Sequence, residues 1–321
     1  MTEKLFAAID LGGTKIYTVI ADSEMKILSR IQLLTPARED TRTLLSSLAG
    51  SVHAALERAG AGRHSLAACG ICVAGFFDCR SRLLLDSPNL PQVNNLPLEK
   101  ELEEMLGVPV LAENDANAAA LGEARFGAGA GSRHMAYVTV STGIGAGLVL
   151  DGRLFRGNRG FSGEIGHMAV KPDGPPCGCG RRGCLETVAS GTAIARNAQE
   201  MLASARKTAL ADIKGKITAS DVFTAAAAGD IPAREIVDEA IHYLGIGLVN
   251  LVNLLDPEVL VIGGGVANAG EALLAPLRSI LTEKAATHIA KHVELKKAAL
   301  GRDAGAIGML CLLRESRLGR H

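Results

Sequence analysis

Hydrophobic and polar positions along the chain predict strands that alternate with helices, with glycine-rich loops between several of them. Residues 5–9 (LFAAI) are typical of a strand, LGGTK of a turn, and residues 16–21 (IYTVIA) of a second strand. The same plan recurs at 137–151, as the strand YVTV, the loop STGIGAG, the strand LVL and an Asp-Gly turn. Two units of this kind suggest a duplicated domain.

Further elements follow from the same periodicity, and after residue 191 they are largely helical. The elements predicted before that point are a helix near 41–59, a buried strand near 69–74, a polar loop at 86–95, a helix near 98–106, a strand at 108–114 and a helix at 115–126. Those predicted after it are helices at 193–205, 219–228 and 233–255, a strand within 256–267 that runs into a glycine turn and a helix, and an apolar helix at 303–313. This alternation predicts a three-layer α/β architecture.

Composition narrows the class of protein. A length of 321 residues favours two domains of about 150 residues, although one large α/β domain is also permitted. A content of 48% hydrophobic side chains excludes a disordered chain. Basic and acidic residues balance at 34 each, so no net charge attracts the molecule to nucleic acid or to an anionic membrane. Only 3% of the residues are aromatic, which argues against a platform for stacking bases.

The N-terminal region and the longest apolar run bear on location. Asp10 comes too early for the apolar region of a signal peptide. The longest apolar run, residues 67–77, is shorter than the roughly 20 residues that a membrane helix needs. We therefore expect a cytoplasmic protein without a membrane or nucleic-acid partner.

The loop DLGGTK, from Asp10 to Lys15, is the first candidate for chemistry. Gly12 and Gly13 let backbone N–H groups approach phosphate oxygens closely, and the Thr14 hydroxyl adds a donor. Asp10, at the end of a strand, is placed to hold Mg²⁺ directly or through water. Taken alone, the loop is also typical of an ordinary Gly-Gly hairpin turn, and its spacing is not that of a Walker loop.

A second glycine loop strengthens the phosphate interpretation, because two facing hairpins can clamp a phosphate chain and one cannot. Its candidate residues are Ser141, Thr142, Gly143, Gly145 and Gly147. A third glycine turn follows the strand VLVI, where Gly264 and Gly265 could lie against an adenosine. Close packing of a strand on a helix explains glycines at this third position equally well.

The segment AENDAN places a carboxylate where a strand ends and an alanine-rich helix begins. Asp115 could be a helix N-cap, which contributes about 1 kcal/mol, but this leaves Asn114 unexplained. Asp115 could also be a general base, kept ionised by the helix N-terminus and able to accept the proton of an attacking sugar hydroxyl. Position alone does not decide between the two interpretations.

The segments GEIGH and CGCGRRGCLE carry the strongest local signal. His167, Cys177, Cys179 and Cys184 have the spacing H-x9-C-x-C-x4-C, which can close a tetrahedral Zn²⁺ site. In a reducing compartment, three clustered cysteines out of seven argue for metal rather than disulfides. Because four protein ligands leave no position for water, the zinc is expected to be structural.

Two acidic residues flank this predicted zinc site. Glu164 and Glu186 could accept hydrogen bonds from sugar hydroxyls. They could equally be solvated surface acids, which is the usual situation of glutamate.

Taken in order, DLGGTK, ENDANAAALGE, STGIGAG, GEIGHM and CGCGRRGCLE resemble the motifs of the ROK family of sugar kinases and sugar-responsive repressors. The resemblance runs from residue 5 to about residue 313. Within the ROK family, the motifs look most like those of the bacterial glucokinases. The resemblance implies an actin-like, hexokinase-type duplicated fold (ribonuclease H-like), with two lobes and an active-site cleft between them. The expected lobes are residues 1–115 with 301–321, which hold the first phosphate loop and sugar contacts, and residues 116–300, which hold the second loop, the zinc knuckle and the adenosine region.

The resemblance also implies roles for single residues. The resemblance implies that Asp115 is the catalytic base. It also implies that His167 both ligates the zinc ion and contacts the sugar. The sugar contacts that it implies are Gly75, Asn89, Asn114, Asp115, Glu164, His167 and Glu186. Ala74 stands where the family usually has proline, and Phe76 and Phe77 follow in the same loop beside the expected sugar pocket, so the preferred sugar stays open.

The function implied is ATP- and Mg²⁺-dependent phosphorylation of the 6-hydroxyl of a hexose, with glucose as the expected substrate, by a homodimer or homotetramer. N-acetylglucosamine and N-acetylmannosamine are the alternative substrates. A non-catalytic sugar sensor is the alternative of another class, since the family includes repressors. Those repressors carry an N-terminal helix-turn-helix extension, for which a first strand near residue 5 leaves no room.

Overall fold

The computed structural model describes residues 4–204 and 206–317, so the helix end predicted at 205 and the lobe ends predicted at residues 1 and 321 lie outside the described residues. The strands are β1 (Leu5–Leu11), β2 (Lys15–Ala21), β3 (Ile27–Leu34), β4 (Leu66–Val73), β5 (Phe76–Asp78), β6 (Leu83–Asp86), β7 (Val110–Asn114), β8 (Met135–Val140), β9 (Ile144–Leu150), β10 (Arg153–Phe155), β11 (Val259–Gly263) and β12 (Glu294–Lys297). The helices are α1 (Thr41–Arg58), α2 (Leu98–Leu106), α3 (Asp115–Phe126), α4 (Glu186–Ala189), α5 (Gly191–Ala203), α6 (Ala219–Ala227), α7 (Ile231–Leu255), α8 (Glu271–Lys284), α9 (Thr287–Ala290) and α10 (Ala304–Arg317).

Two five-stranded sheets repeat one strand order. The first has the order β3-β2-β1-β4-β7 and the second the order β10-β9-β8-β11-β12. In the first sheet β1, β2 and β3 pair antiparallel, and β4 and β7 then join in parallel. In the second, β9 and β10 pair antiparallel, and β8, β11 and β12 in parallel. The predicted duplicated α/β fold is confirmed.

The first sheet lies between two layers of helices. Successive residues of a strand point to opposite faces of the sheet. Ala7 and Ile9 of β1 accordingly belong to a core that includes Leu48 of α1, whereas Ala8 belongs to a second core that includes Met309 of α10. This is the three-layer arrangement predicted from the alternating elements.

Three strands at sheet edges and two further short strands were not predicted from the sequence. β3, β10 and β12 each lie at the end of a sheet, and β5 and β6 form a separate two-stranded sheet. In β3 only one of the eight residues is fully buried. A strand that buries few side chains leaves a weak hydrophobic pattern, so periodicity does not reveal it.

Helix α7 begins earlier than the predicted residue 233. Asp230 caps it by accepting a hydrogen bond from the N–H of Ala233 at 2.9 Å, and Pro232 suits the first turn because it needs no N–H partner there. The helix has 25 residues, yet neither it nor any other helix in residues 4–204 and 206–317 is long and apolar enough to cross a membrane.

The chain divides into two compact units that differ from the predicted lobes. Within the part of the chain that the structure describes, the first unit comprises residues 4–131, 147–162 and 302–317, and the second comprises 132–146, 163–204 and 206–301. Residues 116–131 thus belong with the first unit, because α3 packs against α10. The two helices approach so closely that a Cβ at Gly308 would lie 1.7 Å from the carbonyl oxygen of Ala118.

Candidate active site

The predicted site residues form two sets, one in each unit. Those in the first unit are Asp10, Gly12, Gly13, Thr14, Lys15, Gly75, Asn89, Asn114, Asp115 and Gly147. Those in the second are Ser141, Thr142, Gly143, Gly145, Glu164, His167, Cys177, Cys179, Cys184, Glu186, Gly264 and Gly265.

Three parallel strands of the first unit, β1, β4 and β7, end at one edge of their sheet. Asp10 lies opposite Cys72 in the register of β1 and β4, and Val73 lies opposite Asn114 in that of β4 and β7. Asp115 follows Asn114 directly as the first residue of α3. Carboxyl ends of parallel strands are where α/β proteins bind ligands, so this edge is the candidate reaction site.

Burial affects two neighbouring carboxyl groups at this edge. Burial raises the pKa of Asp10 to about 7, and the negative charge of Asp115 adds to the rise, while a hydrogen bond with the Cys72 thiol opposes it. Burial also raises the pKa of Asp115 above its ordinary value, despite the hydrogen bond that its Oδ1 accepts from the N–H of Ala116 at 2.9 Å. The helix N-terminus was expected to keep Asp115 ionised, but burial has the larger effect. A carboxylate with a raised pKa is a stronger proton acceptor once ionised.

Asn114, and not Asp115, is the N-cap of α3. Its Oδ1 accepts hydrogen bonds from the N–H groups of Ala116 at 2.9 Å and Asn117 at 3.1 Å. Its Nδ2 donates to the carbonyl oxygen of Gly75 at 3.2 Å. The N-cap interpretation of Asp115 is therefore wrong, and Asn114 has a structural role of its own that also ties the predicted contact Gly75 to this turn.

The first glycine loop lies against Asn89. A Cβ at Gly13 would lie only 2.6 Å from the Cβ of Asn89, so this approach requires glycine. Thr35 supports the loop, since its Oγ1 donates to the carbonyl oxygen of Gly12 at 2.7 Å and its N–H to that of Thr14 at 2.9 Å. The structure thus brings a predicted phosphate loop and a predicted sugar contact together.

The second glycine loop lies against Glu186 within the second unit. A Cβ at Gly143 would lie 3.0 Å from Oε2 of Glu186, the first residue of α4. The loop closes through a hydrogen bond from the N–H of Ser141 to the carbonyl oxygen of Gly143 at 2.9 Å. Thr142 is exposed at its tip, and Gly145 is half-buried in β9.

The third glycine turn follows β11, the parallel neighbour of β8. Gly264 has a φ of 81°, and a Cβ at Gly265 would lie 3.9 Å from Oγ of Ser141. The carbonyl oxygen of Ser141 accepts a hydrogen bond from the N–H of Gly191, the first residue of α5, at 2.7 Å. Two predicted nucleotide segments and a helix N-terminus therefore meet at the ends of β8 and β11.

Gly147 has a different environment from the rest of its loop. It is buried in β9 within the first unit, and a Cβ there would lie 2.4 Å from the carbonyl oxygen of Ala116. Close packing of β9 on α3 accounts for a glycine at this position.

The four predicted metal ligands come together, as the spacing of His167, Cys177, Cys179 and Cys184 predicted. Their ligand atoms all lie within 4.8 Å of one another. The sulfur atoms of Cys179 and Cys184 are 3.7 Å apart, and that of Cys177 lies 3.6 Å from Nδ1 of His167. Ligands around a tetrahedral zinc, with zinc–sulfur bonds of about 2.3 Å, are separated by about 3.8 Å. The cluster has the donor atoms and the spacing to hold zinc.

Burial and two glutamates shape the surroundings of this cluster. Burial raises the pKa of the Cys177 and Cys184 thiols, so a bound cation would be needed to hold both sulfurs as thiolates. Oε1 of Glu186 lies 3.7 Å from Nδ1 of His167, whereas Oε2 of Glu164 lies 3.8 Å from Nε2. The ring of His167 thus has one nitrogen toward the sulfur atoms and the other toward Glu164.

Three residues at or beside the reaction edge, Cys72, Glu113 and Arg156, were not predicted from the sequence. Cys72 lies beside Asp10, and Glu113 forms an ion pair with Arg156 directly before Asn114. An acidic residue inside an otherwise apolar strand, as in VLAEN, is the sequence signal that could have drawn attention to Glu113. Its partner lies 43 residues away, so spacing gives no sign of it.

Comparison with known proteins covers both units. The family model described as ROK family matches residues 6–316. The chain is 38% identical over 312 residues to a glucokinase of Halalkalibacterium halodurans, which covers 96% of this chain and 94% of that protein. It is 36% identical over 311 residues to an N-acetylmannosamine kinase of Shigella boydii, with 97% and 99% covered. A solved ROK family glucokinase from Streptomyces griseus, in complex with glucose and AMPPNP, matches with a TM-score of 0.83 and 35% identity over 96% of this chain and 98% of that chain.

Proposed function

Because this chain belongs to the ROK family, we propose that it is a sugar kinase that uses ATP to phosphorylate the 6-hydroxyl of glucose. The observation that carries the proposal is Asp115, a half-buried carboxylate that begins α3 beside Asp10 and is not needed as the N-cap. The similarity to a glucokinase solved with glucose and AMPPNP supports both the sugar and the nucleotide.

In the proposed reaction, Asp115 accepts the proton of the 6-hydroxyl while that oxygen attacks the γ-phosphate of ATP. The new bond joins the sugar oxygen to phosphorus, the bond to the bridging oxygen breaks, and ADP leaves. Phosphoryl transfer depends mostly on positioning and on stabilising charge, so one base and well-placed donors suffice. The raised pKa of Asp115 suits the acceptor role.

The nucleotide is proposed to bind through backbone N–H groups of the two glycine loops, with Gly264 and Gly265 beside the adenosine. Asp10 would hold Mg²⁺, directly or through water, because a carboxylate oxygen is the ligand that this ion prefers. The ion would supply positive charge to the phosphate oxygens. The meeting of Ser141 with the Gly264–Gly265 turn supports this assignment for the second unit.

We infer that the cluster of one histidine and three cysteines binds a structural zinc ion. The donor set and spacing support this, and four protein ligands would leave no open position for a reacting water. The ion would fix the loop that carries His167 and holds Glu186 nearby. These two residues and Glu164 would then bind sugar hydroxyls, together with Asn89, Asn114 and the Gly75 loop.

A kinase for an N-acetylhexosamine is the second candidate, favoured by the similarity to an N-acetylmannosamine kinase. Steady-state assays with MgATP and a panel of glucose, mannose, N-acetylglucosamine and N-acetylmannosamine test both. We expect the highest kcat/KM with glucose. A higher value with an N-acetylated sugar would establish the second candidate, and no phosphorylation of any sugar would favour the non-catalytic sensor.

Location and assembly are further parts of the proposal. We infer that the protein is cytoplasmic, as expected from the early Asp10 and the short apolar runs, and that it assembles as a homodimer or homotetramer. Light scattering of the purified protein measures the assembly, and a monomer at working concentration would contradict it.

A further inference from the structure

Glu113 is a buried carboxylate that directly precedes Asn114 and Asp115. It is 3% exposed, and both of its oxygens accept hydrogen bonds. Oε1 accepts from the N–H of Asn114 at 2.9 Å and from Nδ2 of Asn117 at 3.0 Å, and Oε2 accepts from Nε of Arg156 at 2.6 Å. One carboxylate thus holds the backbone at the end of β7, the first turn of α3 and a distant arginine.

Arg156 begins a segment that we call the strap, residues 156–162, which lies in the first unit with Glu113. The strap closes on itself through a hydrogen bond from the N–H of Ser162 to the carbonyl oxygen of Arg156 at 3.2 Å. It is held to β5 and the turn after it by a second arginine, Arg159, which pairs with Asp78 and whose carbonyl oxygen accepts from the N–H of Cys79 at 3.0 Å. The strap is therefore fixed at two points.

The two fixed points differ in what they touch. Glu113 and Asp78 are both buried acids paired with a strap arginine, and their side chains are 4% and 2% exposed. The other hydrogen bonds to Asp78 Oδ1 come from the N–H groups of Arg80 and Ser81, which belong to the turn after β5. The other hydrogen bonds to Glu113 come from Asn114 and Asn117, which lie on either side of Asp115 at the start of α3. The two pairs have the same chemistry but hold different segments.

We propose that the ion pair of Glu113 and Arg156 is the positioning pair for the catalytic turn, which rests on the proposed role of Asp115 as base. By holding the N–H of Asn114 and the side chain of Asn117, Glu113 sets the direction in which the chain leaves β7 and enters α3. Asp115 lies between these two fixed residues. Arg156 places a positive charge against Oε2 of Glu113, which offsets the cost of burying a carboxyl group there.

The positioning role predicts a specific kinetic change. In Glu113→Gln the amide keeps the shape of the side chain, but its NH₂ group cannot accept from Arg156 or from Asn114 and Asn117. We expect kcat to fall by about 10- to 100-fold, the scale on which a misplacement near 1 Å slows a reaction, while KM for glucose and for ATP changes by less than about threefold. Arg156→Met should give a similar fall, and Arg156→Lys, which restores the charge, should recover most of it.

The second ion pair of the strap provides the matched control. Asp78→Asn removes a buried charge paired with Arg159 but touches no hydrogen bond of the catalytic turn. We expect a lower melting temperature with kcat within about threefold of wild type. An equal loss of kcat in Asp78→Asn and Glu113→Gln would overturn the proposal, because the effect would then come from general loosening of the strap.

A readout independent of turnover separates this inference from the proposed function. Hydrogen exchange of the peptide covering residues 110–120 should be faster in Glu113→Gln than in wild type, and unchanged in Asp78→Asn. If wild type phosphorylates no hexose, the proposed function fails, and faster exchange alone would still show that Glu113 holds the turn. If wild type is active and Glu113→Gln keeps both its kcat and its protection, the positioning role is wrong.

Discussion

The two sheets have the same strand order but carry different side chains where their parallel strands end. In the first sheet, the penultimate residues of β1 and β4 are Asp10 and Cys72. In the second, the penultimate residues of β8 and β11 are Thr139 and Ile262. The two sheets therefore have similar edges at the carboxyl ends of their parallel strands. Of these two pairs of penultimate residues, only Asp10 and Cys72 of the first sheet are ionisable.

The difference teaches that strand topology and chemistry are separable in this fold. Burial at the first edge raises the pKa of Asp10 and of Asp115, and the raised pKa of Asp115 suits the proposed proton acceptor. The second edge has glycine turns beside Ser141, which suit close approach of a phosphate chain. We therefore assign the reaction to the first edge and most of the nucleotide binding to the second.

The largest effect is expected from Asp115→Asn, which keeps the shape of the side chain and removes the base. The kcat should fall by about 10²- to 10⁴-fold, the usual contribution of a positioned acid or base. The matched change at the second edge, Thr139→Val, should leave kcat within about threefold. Steady-state kinetics with glucose and MgATP measure both, and similar losses in the two variants would end the assignment of chemistry to one edge.

The next effect concerns the zinc cluster of the second unit. Cys184→Ser should release the metal and weaken glucose binding by about 10- to 100-fold, the scale seen when a site loses the residues that orient its ligands. Nucleotide affinity should change less. Elemental analysis and calorimetry measure these quantities, with Cys79→Ser, a half-buried cysteine outside the cluster, as control. Wild type that is free of zinc and fully active would refute the zinc proposal.

A smaller effect is expected at the second glycine loop. Gly143→Val places a branched side chain toward Glu186, where even a Cβ would lie 3.0 Å from Oε2. We expect KM for ATP to rise about tenfold, as for the loss of one good hydrogen bond. Gly50→Ala in α1, where nothing lies within 4 Å of the added Cβ, is the control and should leave KM unchanged. An unchanged KM in Gly143→Val would mean that this loop does not approach the phosphates.

The smallest effect is on stability and pH. The pKa of Asp10 is about 7 in the folded chain and about 4 when unfolded, so the folded state binds the proton more tightly. Ionised Asp10 therefore lowers stability increasingly as the pH rises from about 4 to about 7. Without metal and nucleotide, Asp10→Asn should melt a few degrees above wild type at pH 8 and level with it near pH 4.

Exposed Asp173 of the second unit provides the control for this pH effect. Asp173→Asn should follow the melting curve of wild type at both pH values. A melting temperature of Asp10→Asn below that of wild type at pH 8 would contradict the effect of burial on Asp10.

Buried strands and closely spaced ligands could be predicted from the sequence. β1 and β11 are buried almost throughout and gave a clear apolar run, whereas β3 and β12 are sheet-edge strands with mostly exposed or half-buried residues and gave none. The metal cluster was predictable because three of its four ligands lie within eight residues of one another. The spacing of ligands along the sequence is enough to predict a metal site when the chain folds back on itself within one loop.

Contacts between distant segments could not be predicted in this way. The pairing of Glu113 with Arg156 depends on how the strap lies against β7, which no local pattern reports. The choice between Asn114 and Asp115 as N-cap depends on backbone angles at a single residue. The membership of α3 in the first unit depends on its packing against α10.

The most direct test of the division between a reacting edge and a binding edge is the single-turnover rate of phosphoryl transfer, measured by rapid quench at saturating glucose and increasing MgATP. Gly143→Val should approach the wild-type rate once ATP saturates, because its defect lies in binding. Asp115→Asn should stay at least about 10²-fold slower at every ATP concentration, because it lacks the proton acceptor. Recovery of Asp115→Asn at high ATP would contradict the account and make Asp115 a binding residue.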